Sequence, residues 1–228
     1  MRRKSMSELR CFLLLGLSLL FWVSCDTQVK VKKDYWDNGN LKSELRYEDG
    51  MLNGCSVWYM PNGKPQLEVT YRNDTMNGLL RRWHENGNLM EESWYKDGVQ
   101  DSVYREYSLK GILICEGYYV DGMLNGAFHR WYENGQVFQE GQFTDDMMDG
   151  SWMLFYSDGN LAAKADFDKG TGTQISYEQS GYKCLVTHYV DNERHGKEVY
   201  YNPDGRITRV AIYEYGEWIG DEDLEVKK

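Results

Sequence analysis

Two series of glycine residues recur along this chain with the same spacing, and they constrain its fold more than any other feature. The first series comprises Gly39, Gly63, Gly87, Gly111, Gly135, Gly159, Gly181 and Gly205. The second comprises Gly54, Gly78, Ser102 in place of one glycine, Gly126, Gly150, Gly172, Gly196 and Gly220. Successive members lie 24 residues apart, except for one interval of 22 residues in each series. Residues 35–220 therefore form a tandem array of eight similar units, each of which packs mainly on its neighbours.

Two columns of aromatic residues keep the same register as the glycines. Four residues before each first-series glycine stand Tyr35, Tyr59, Trp83, Tyr107, Trp131, Phe155, Tyr177 and Tyr201. Eight residues after it stand Tyr47, Tyr71, Tyr95, Tyr119, Phe143, Phe167, Tyr189 and Tyr213. Every member of both columns is aromatic, so each unit supplies two large rings for packing.

The residues around the first-series glycines indicate a hairpin turn. In Pro61-Asn62-Gly63, proline presets φ for the first turn position and glycine suits the left-handed one. This pattern predicts a type I turn with a glycine bulge, closing a three-residue loop. Continuing the pairing outward from that loop places both aromatic columns on one face of the sheet. A two-residue type I′ loop is the alternative, and it would place the columns on opposite faces.

The residues around the second glycine series indicate a second tight turn in each unit. Its first position holds Gly, Asp or Asn in every unit, and these residues tolerate positive φ. Each unit is then two short antiparallel strands and two turns. The predicted fold is all-β: an elongated, single-layer antiparallel sheet of eight tandem hairpin repeats after an N-terminal signal helix. The 22-residue interval indicates that the turn between Gly170 and Gly172 lacks two residues.

The N-terminus resembles a secretory signal. Four basic residues and one acid occupy the first ten positions, and an apolar run from Cys11 to Val23 follows, too short for a comfortable membrane span. Ser24-Cys25 at its end resembles the lipobox of bacterial lipoproteins, in which the cysteine is acylated, although Trp22 departs from the aliphatic residue usual there. Cys25 is the predicted lipidation site. An uncleaved signal anchor and simple secretion are the alternatives.

These features divide the chain into four parts. The predicted organisation is a signal peptide over residues 1–24, a linker and capping strand over 25–34, eight repeats over 35–220, and an acidic tail over 221–228. The alternating segment Val29–Lys32 is the predicted capping strand, and the tail is expected to fray.

The repeat resembles a known family. The string from Tyr47 to Gly54, like that from Tyr119 to Gly126, is similar to the core of the MORN repeat, Tyr-x-x-Gly-x-x-x-Gly. The 24-residue unit resembles the bacterial MORN-variant subfamily, some members of which are labelled antitoxins. The resemblance covers residues 35–220 and implies a repeat scaffold or attachment surface.

Composition and spacing exclude several functions. The net charge of −10 argues against nucleic-acid binding, which needs clustered basic residues. Cys184, His188 and Asp191 are too far apart along one strand for nucleophilic catalysis, and the four histidines lack metal-ligand spacing. We therefore expect no enzyme activity, no metal and no cofactor. Cys55 and Cys115 lie on strands too far apart for a disulfide, so three free thiols are expected, with Cys184 as the third.

A charge ladder and an aromatic strip are the remaining surface features. Glu44, Glu68, Glu92, Glu116 and Glu140 recur five residues after the glycine, and Arg81, Arg82, Arg105 and Arg130 lie on the facing strands. We expect them to form a solvated ladder on the polar face. The aromatic strip is the candidate binding surface, with Trp83, Tyr95, Tyr107, Tyr119, Trp131 and Phe143 as its central residues.

The predicted function is that of a non-enzymatic, lipid-anchored scaffold that binds a protein partner at the bacterial cell envelope, on the periplasmic or outer surface. An antitoxin or immunity protein that occludes a toxin is one alternative. A carbohydrate-binding surface protein is another, because Tyr and Trp rings stack on sugars.

Overall fold

The computed structural model describes residues 28–223, so the predicted signal helix, residues 1–24 and Cys25 lie outside the described residues. The described chain is entirely β-strands and turns. The strands are β1 (Val29–Tyr35), β2 (Leu41–Glu48), β3 (Met51–Leu52), β4 (Gly54–Tyr59), β5 (Pro65–Arg72), β6 (Thr75–Trp83), β7 (Leu89–Lys96), β8 (Val99–Tyr107), β9 (Leu113–Val120), β10 (Met123–Leu124), β11 (Gly126–Trp131), β12 (Val137–Thr144), β13 (Met147–Phe155), β14 (Leu161–Asp168), β15 (Thr171–Tyr177), β16 (Lys183–Val190), β17 (Glu193–Arg194), β18 (Gly196–Tyr201), β19 (Ile207–Glu214) and β20 (Glu217–Asp221). No helix within 28–223 is of a kind that could cross a membrane.

All strands belong to one antiparallel sheet and pair in the order of the chain. The short strands β3, β10 and β17 each continue, after a single residue, into the next strand, and both pieces pair with the same neighbour. β1 and β20 are the two edges, since each pairs with one strand among the described residues. The predicted fold, a single-layer antiparallel sheet of hairpins, is confirmed.

The first-series turns have the predicted three-residue loop. In the unit around Gly63, the N–H of Met60 donates to the carbonyl of Lys64 at 2.8 Å, and the N–H of Gly63 donates back to the carbonyl of Met60 at 2.9 Å. Gly63 has a φ of 82°, the left-handed conformation that the pattern required. Tyr59 then pairs with Pro65, as predicted for the aromatic residue and the residue two after the glycine.

The prediction that both aromatic columns share one face is wrong. Beyond the pair of Tyr59 with Pro65, Trp58 pairs with Leu67, so Gln66 is an extra residue in its strand. This bulge changes the alternation of side chains by one position, and Tyr71 lies on the face opposite Tyr59. The same register shift follows the first turn in all eight hairpins. The columns are therefore on opposite faces even though the loop is the predicted one.

The second-series turns are two-residue turns with positive φ at both positions. Asp121 and Gly122, for example, have φ values of 50° and 86°, which is the type I′ hairpin geometry. Lys169 and Gly170 keep this geometry in the unit with the short interval, with φ values of 45° and 80°. The two missing residues are thus not lost from the turn. They are lost from the bulge that other units carry after it, because β14 and β15 pair without a register shift.

The C-terminal end of the sheet is more ordered than the predicted fraying tail. Asp221 belongs to β20, pairs with Ala211, and accepts hydrogen bonds from the guanidinium of Arg209 at 2.9 and 3.0 Å. The N–H of Glu222 donates to the carbonyl of Val210 at 2.9 Å. The expectation of fraying is therefore wrong for the first two residues of the tail.

The core lies on one face of the sheet, which we call the packed face. It carries the second aromatic column and, two residues earlier on the same strands, small or apolar residues such as Val69, Ser93, Ala165 and Ala211, all buried. Trp152 is only 1% exposed and packs with Ala165 and Phe167. Side chains of adjacent strands cover one another, so the burial that stabilises each unit comes from the units on either side.

Candidate functional site

The opposite face carries the first aromatic column and the glutamates predicted as a ladder, and we call it the ladder face. Of the six residues predicted for partner binding, Trp83, Tyr107 and Trp131 lie on the ladder face. The other three, Tyr95, Tyr119 and Phe143, lie on the packed face. The predicted strip is therefore divided between the two opposite faces of the sheet.

The packed-face aromatics are part of the core. Phe143 packs edge-on against Trp152, with ring centroids 4.9 Å apart, and against Phe128 at 5.3 Å. Tyr119 meets Tyr104 edge-on at 5.9 Å, and burial raises the pKa of Tyr119. Rings in such mutual contact stabilise neighbouring units. These residues hold the sheet together rather than forming an open surface.

The ladder face carries a continuous row of ion pairs across adjacent strands. Arg81 contacts Glu92 at 3.0 Å and Glu68 at 3.6 Å. Arg105 contacts Glu116 at 2.7 Å and Glu92 at 3.5 Å. This row is less solvated than predicted, because the Glu92 and Glu116 side chains are only 16% and 21% exposed. Neighbouring strands supply alternating signs, so the row is a cross-strand network rather than a set of paired carboxylates fit for acid–base catalysis.

The arginines of the predicted ladder do not all lie on this face. Arg82 pairs in register with Glu91 and contacts it at 3.3 Å, on the packed face. Arg130 also lies on the packed face, where it pairs in register with Cys115.

Rows of aromatic residues border the charge row on both sides. On one side are Trp83, Tyr107 and Trp131, all half-buried. On the other side are Trp94 and Tyr118, which are 42% and 38% exposed. Val99, Val120 and Met123 extend this second row as exposed apolar side chains towards the second-series turns. On the central ladder face, large exposed apolar side chains thus adjoin a charged network.

The sequence columns did not single out Trp94 and Tyr118, although they are the most exposed rings of the central ladder face. Each directly precedes a member of the second aromatic column, so it points to the opposite face of its strand. Only two of the eight units have an aromatic residue there. Columns shared by all units consist of residues needed for folding, whereas these two rings depart from the repeating pattern.

The cysteine and histidine side chains of the described residues do not assemble into a site for covalent or metal chemistry. Cys55, Cys115 and Cys184 are free thiols on β4, β9 and β16, as expected. His188 lies in register with Thr173 on the next strand, and its Nδ1 is 2.8 Å from the Thr173 hydroxyl. Within residues 28–223, no three His, Cys, Asp or Glu side chains are grouped as metal ligands.

Comparison with known families matches part of the array. Four segments, residues 28–49, 52–73, 76–97 and 124–145, match the sequence model of the MORN repeat variant. Each matched segment spans one hairpin with its first-series turn. The search of the curated proteins finds no match to the chain. The hairpins outside the matched segments have the same turn and the same bulge, so the structural repeat extends beyond the sequence match.

Proposed function

We propose that this protein is a non-enzymatic repeat scaffold that binds a protein partner on the central ladder face while a lipid on Cys25 holds it at the bacterial cell envelope. The observation that carries the binding proposal is the exposure of Trp94 and Tyr118 beside the shielded charge row. Aromatic rings next to arginines are the residue types that dominate protein interfaces. The match to MORN repeats supports a scaffold role.

Packing between units accounts for the aromatic residues of the packed face, but it does not account for the exposed rings of the ladder face. Phe143 and Trp152 are covered by their neighbours, so their packing serves stability. Trp94 and Tyr118 make no comparable core contact among the described residues. A partner that covers them would bury large aromatic surfaces, at about 25 cal/mol for each Å² of apolar area.

Site-specific crosslinking in intact native cells tests this proposal. A photoreactive residue at Val120, which is 49% exposed beside the site, reports contact with a partner. We expect a discrete crosslinked protein with the unaltered site and its loss in the double variant Trp94→Ser/Tyr118→Ser. The matched control is Leu109→Ser, because Leu109 is 63% exposed but lies in a first-series turn. Survival of the crosslink in a double variant with an unchanged circular dichroism spectrum would contradict the proposal.

Membrane attachment is tested separately. Cys25→Ala is expected to release the protein from membranes, since a chain of net charge −10 gains no attraction from anionic lipid. Metabolic labelling with a radioactive fatty acid should mark the unaltered protein and not the variant. Membrane retention of a Cys25→Ala protein whose leader has been cleaved would show that another segment provides the anchor.

Carbohydrate binding is a second candidate, and the same exposed rings favour it. Trp94 and Tyr118 present flat aromatic surfaces of the kind on which sugar rings stack. Saturable binding on a glycan array, lost in the Trp94→Ser/Tyr118→Ser variant, together with no crosslinked protein, would support this function over the first. An antitoxin or immunity role stays a further proposal, and a toxin as the crosslinked species would support it.

A further inference from the structure

Between Glu68 and Glu116, the charge row of the ladder face follows a simple rule. Before this stretch, Val57 pairs in register with both Glu44 and Glu68 and supplies no charge. Each arginine lies between two glutamates of adjacent strands and contacts both. Arg81 joins Glu68 to Glu92, and Arg105 joins Glu92 to Glu116. The carboxylates joined in this way are about 10 Å apart in strand spacing, with the arginine strand between them. A guanidinium fits this interval because its planar fork can donate to a carboxylate on either side.

The next position in the row departs from the rule. His129 stands where the arginine would be, since it pairs in register with Glu116 on one strand and with Glu140 on the other. Its imidazole stacks on Trp131, with ring centroids 5.6 Å apart and an interplanar angle of 17°. Within residues 28–223, His129 makes no ion pair with either glutamate, and Glu140 has no ion-pair or hydrogen-bond partner for its carboxylate.

The surface at this position is concave and open to solvent. A concavity lies beside it, lined in part by His129, Glu140, Ser151 and Met153. The side chain of Met153, on the next strand of the same row, is apolar, so it supplies no positive charge to Glu140. The position therefore offers a free carboxylate at Glu140, a second one at Glu116 that is bonded from one side, and a flat aromatic stack between them.

We propose that the position of His129 accepts an arginine side chain of the partner protein, which completes the row by bridging Glu116 and Glu140 and stacking on the His129–Trp131 pair. This inference rests on the proposed function and names the chemistry of the partner. Charge complementarity supports this proposal. Arg81 and Arg105 show that the row accepts a guanidinium between two glutamates, and the position of His129 lacks one. An arginine from outside gains two charge-assisted hydrogen bonds and a cation–π contact in a partly desolvated place.

The experiment uses two small probes on the purified protein. N-acetyl-arginine amide carries the guanidinium, and N-acetyl-citrulline amide has nearly the same shape without the charge. NMR signals of the His129 ring and the Trp131 indole report occupancy. We expect saturable shifts with the arginine derivative and about tenfold weaker binding of the citrulline derivative, because the charge-assisted bonds are absent.

Two variants make the result specific. Glu140→Gln removes the free carboxylate and should weaken the arginine derivative by a similar factor. His129→Arg fills the position from within the chain, as Arg81 and Arg105 do, and should abolish the shift of Trp131 on addition of the probe. Equal shifts with both probes, or an undiminished response in His129→Arg, would overturn the inference. A crosslinked partner at Val120 without arginine binding would leave the proposed function standing, so the two failures are distinguishable.

Discussion

The side-chain oxygen of Asn192 accepts a hydrogen bond from the backbone N–H of Met148, 44 residues earlier, at 2.9 Å. The Asn192 side-chain N–H donates to the carbonyl of Asp146, also at 2.9 Å. In the two units with aspartate at this position, the side chain accepts from the strand after the preceding turn: Asp74 from the N–H of Leu52, and Asp146 from the N–H of Leu124. Asn192 passes beyond the preceding turn because β14 and β15 lack the usual bulge. The side chain of Asn192 thus spans the shortened turn and bonds to the unit before it.

We predict that Asn192→Gly loosens the sheet around the shortened unit. Glycine keeps the positive φ of this position, which is 65°, so the substitution removes the side-chain bonds without adding strain. Loss of two hydrogen bonds should lower the free energy of unfolding by about 1–2 kcal/mol. Hydrogen exchange should accelerate at the Met148 amide and stay unchanged at the Leu52 amide, which bonds to Asp74 instead. Unaltered exchange at Met148 would show that the long-range bond carries no stability.

Gly141 is predicted to be intolerant of any side chain. A Cβ at Gly141 would lie 2.2 Å from the ring of Trp152, which is almost fully buried. Gly141→Ala should destabilise the protein by about 1–3 kcal/mol through overpacking. The control is Gly117→Ala in the same column, where the nearest side-chain atom is 3.1 Å away and belongs to Phe128. Urea denaturation should rank Gly141→Ala as clearly the less stable variant, and equal stabilities would contradict the packing argument.

The thiols are predicted to differ in reactivity. Cys115 is 4% exposed, and burial raises its pKa to about 11, so little thiolate is present near neutral pH. Cys55 is exposed. A thiol reagent added to the folded, purified protein should modify Cys55 first and Cys115 only after unfolding in denaturant. Mass mapping of the modified peptides gives the order, and early modification of Cys115 would indicate that this part of the sheet opens readily.

Tyr200 is predicted to make the folded state sensitive to high pH. Its hydroxyl donates to the carboxylate of buried Glu198 at 2.6 Å, and this hydrogen bond, with burial, raises the pKa of Tyr200 to about 12 from a usual value of 10.0. The unfolded chain then releases the Tyr200 proton before the folded chain does. The stability from this bond is complete below pH 10 and is lost as the pH rises towards 12. The difference in unfolding free energy between the wild-type protein and Tyr200→Phe, measured across this range, should shrink with increasing pH.

Local turn chemistry made the hairpins predictable. Proline, asparagine and glycine at fixed offsets around Gly63 select one loop, and the structure has that loop. The faces were not predictable by the same means. The extra residue that separates the aromatic columns is Gln66 in one unit, Phe138 in another and Cys184 in a third, so the bulge has no residue type of its own.

The candidate site was predictable only in part. Trp83, Tyr107 and Trp131 belong to a column that repeats in every unit, and the charge row beside them was visible from Glu92 and Arg105. Trp94 and Tyr118 were not, because an aromatic side chain present at this position in only two of the eight units leaves no periodic trace. Which face of a strand a residue occupies depends on pairing with the neighbouring strand, and the bulge alters that pairing.

The separation of the two aromatic columns has a consequence for how such a chain can diverge. The packed face bears the buried apolar core, whereas the ladder face carries ion pairs and more exposed rings. Substitutions of exposed side chains on the ladder face leave the packed face unchanged. The same framework can therefore acquire different binding specificities, unit by unit, and keep its fold.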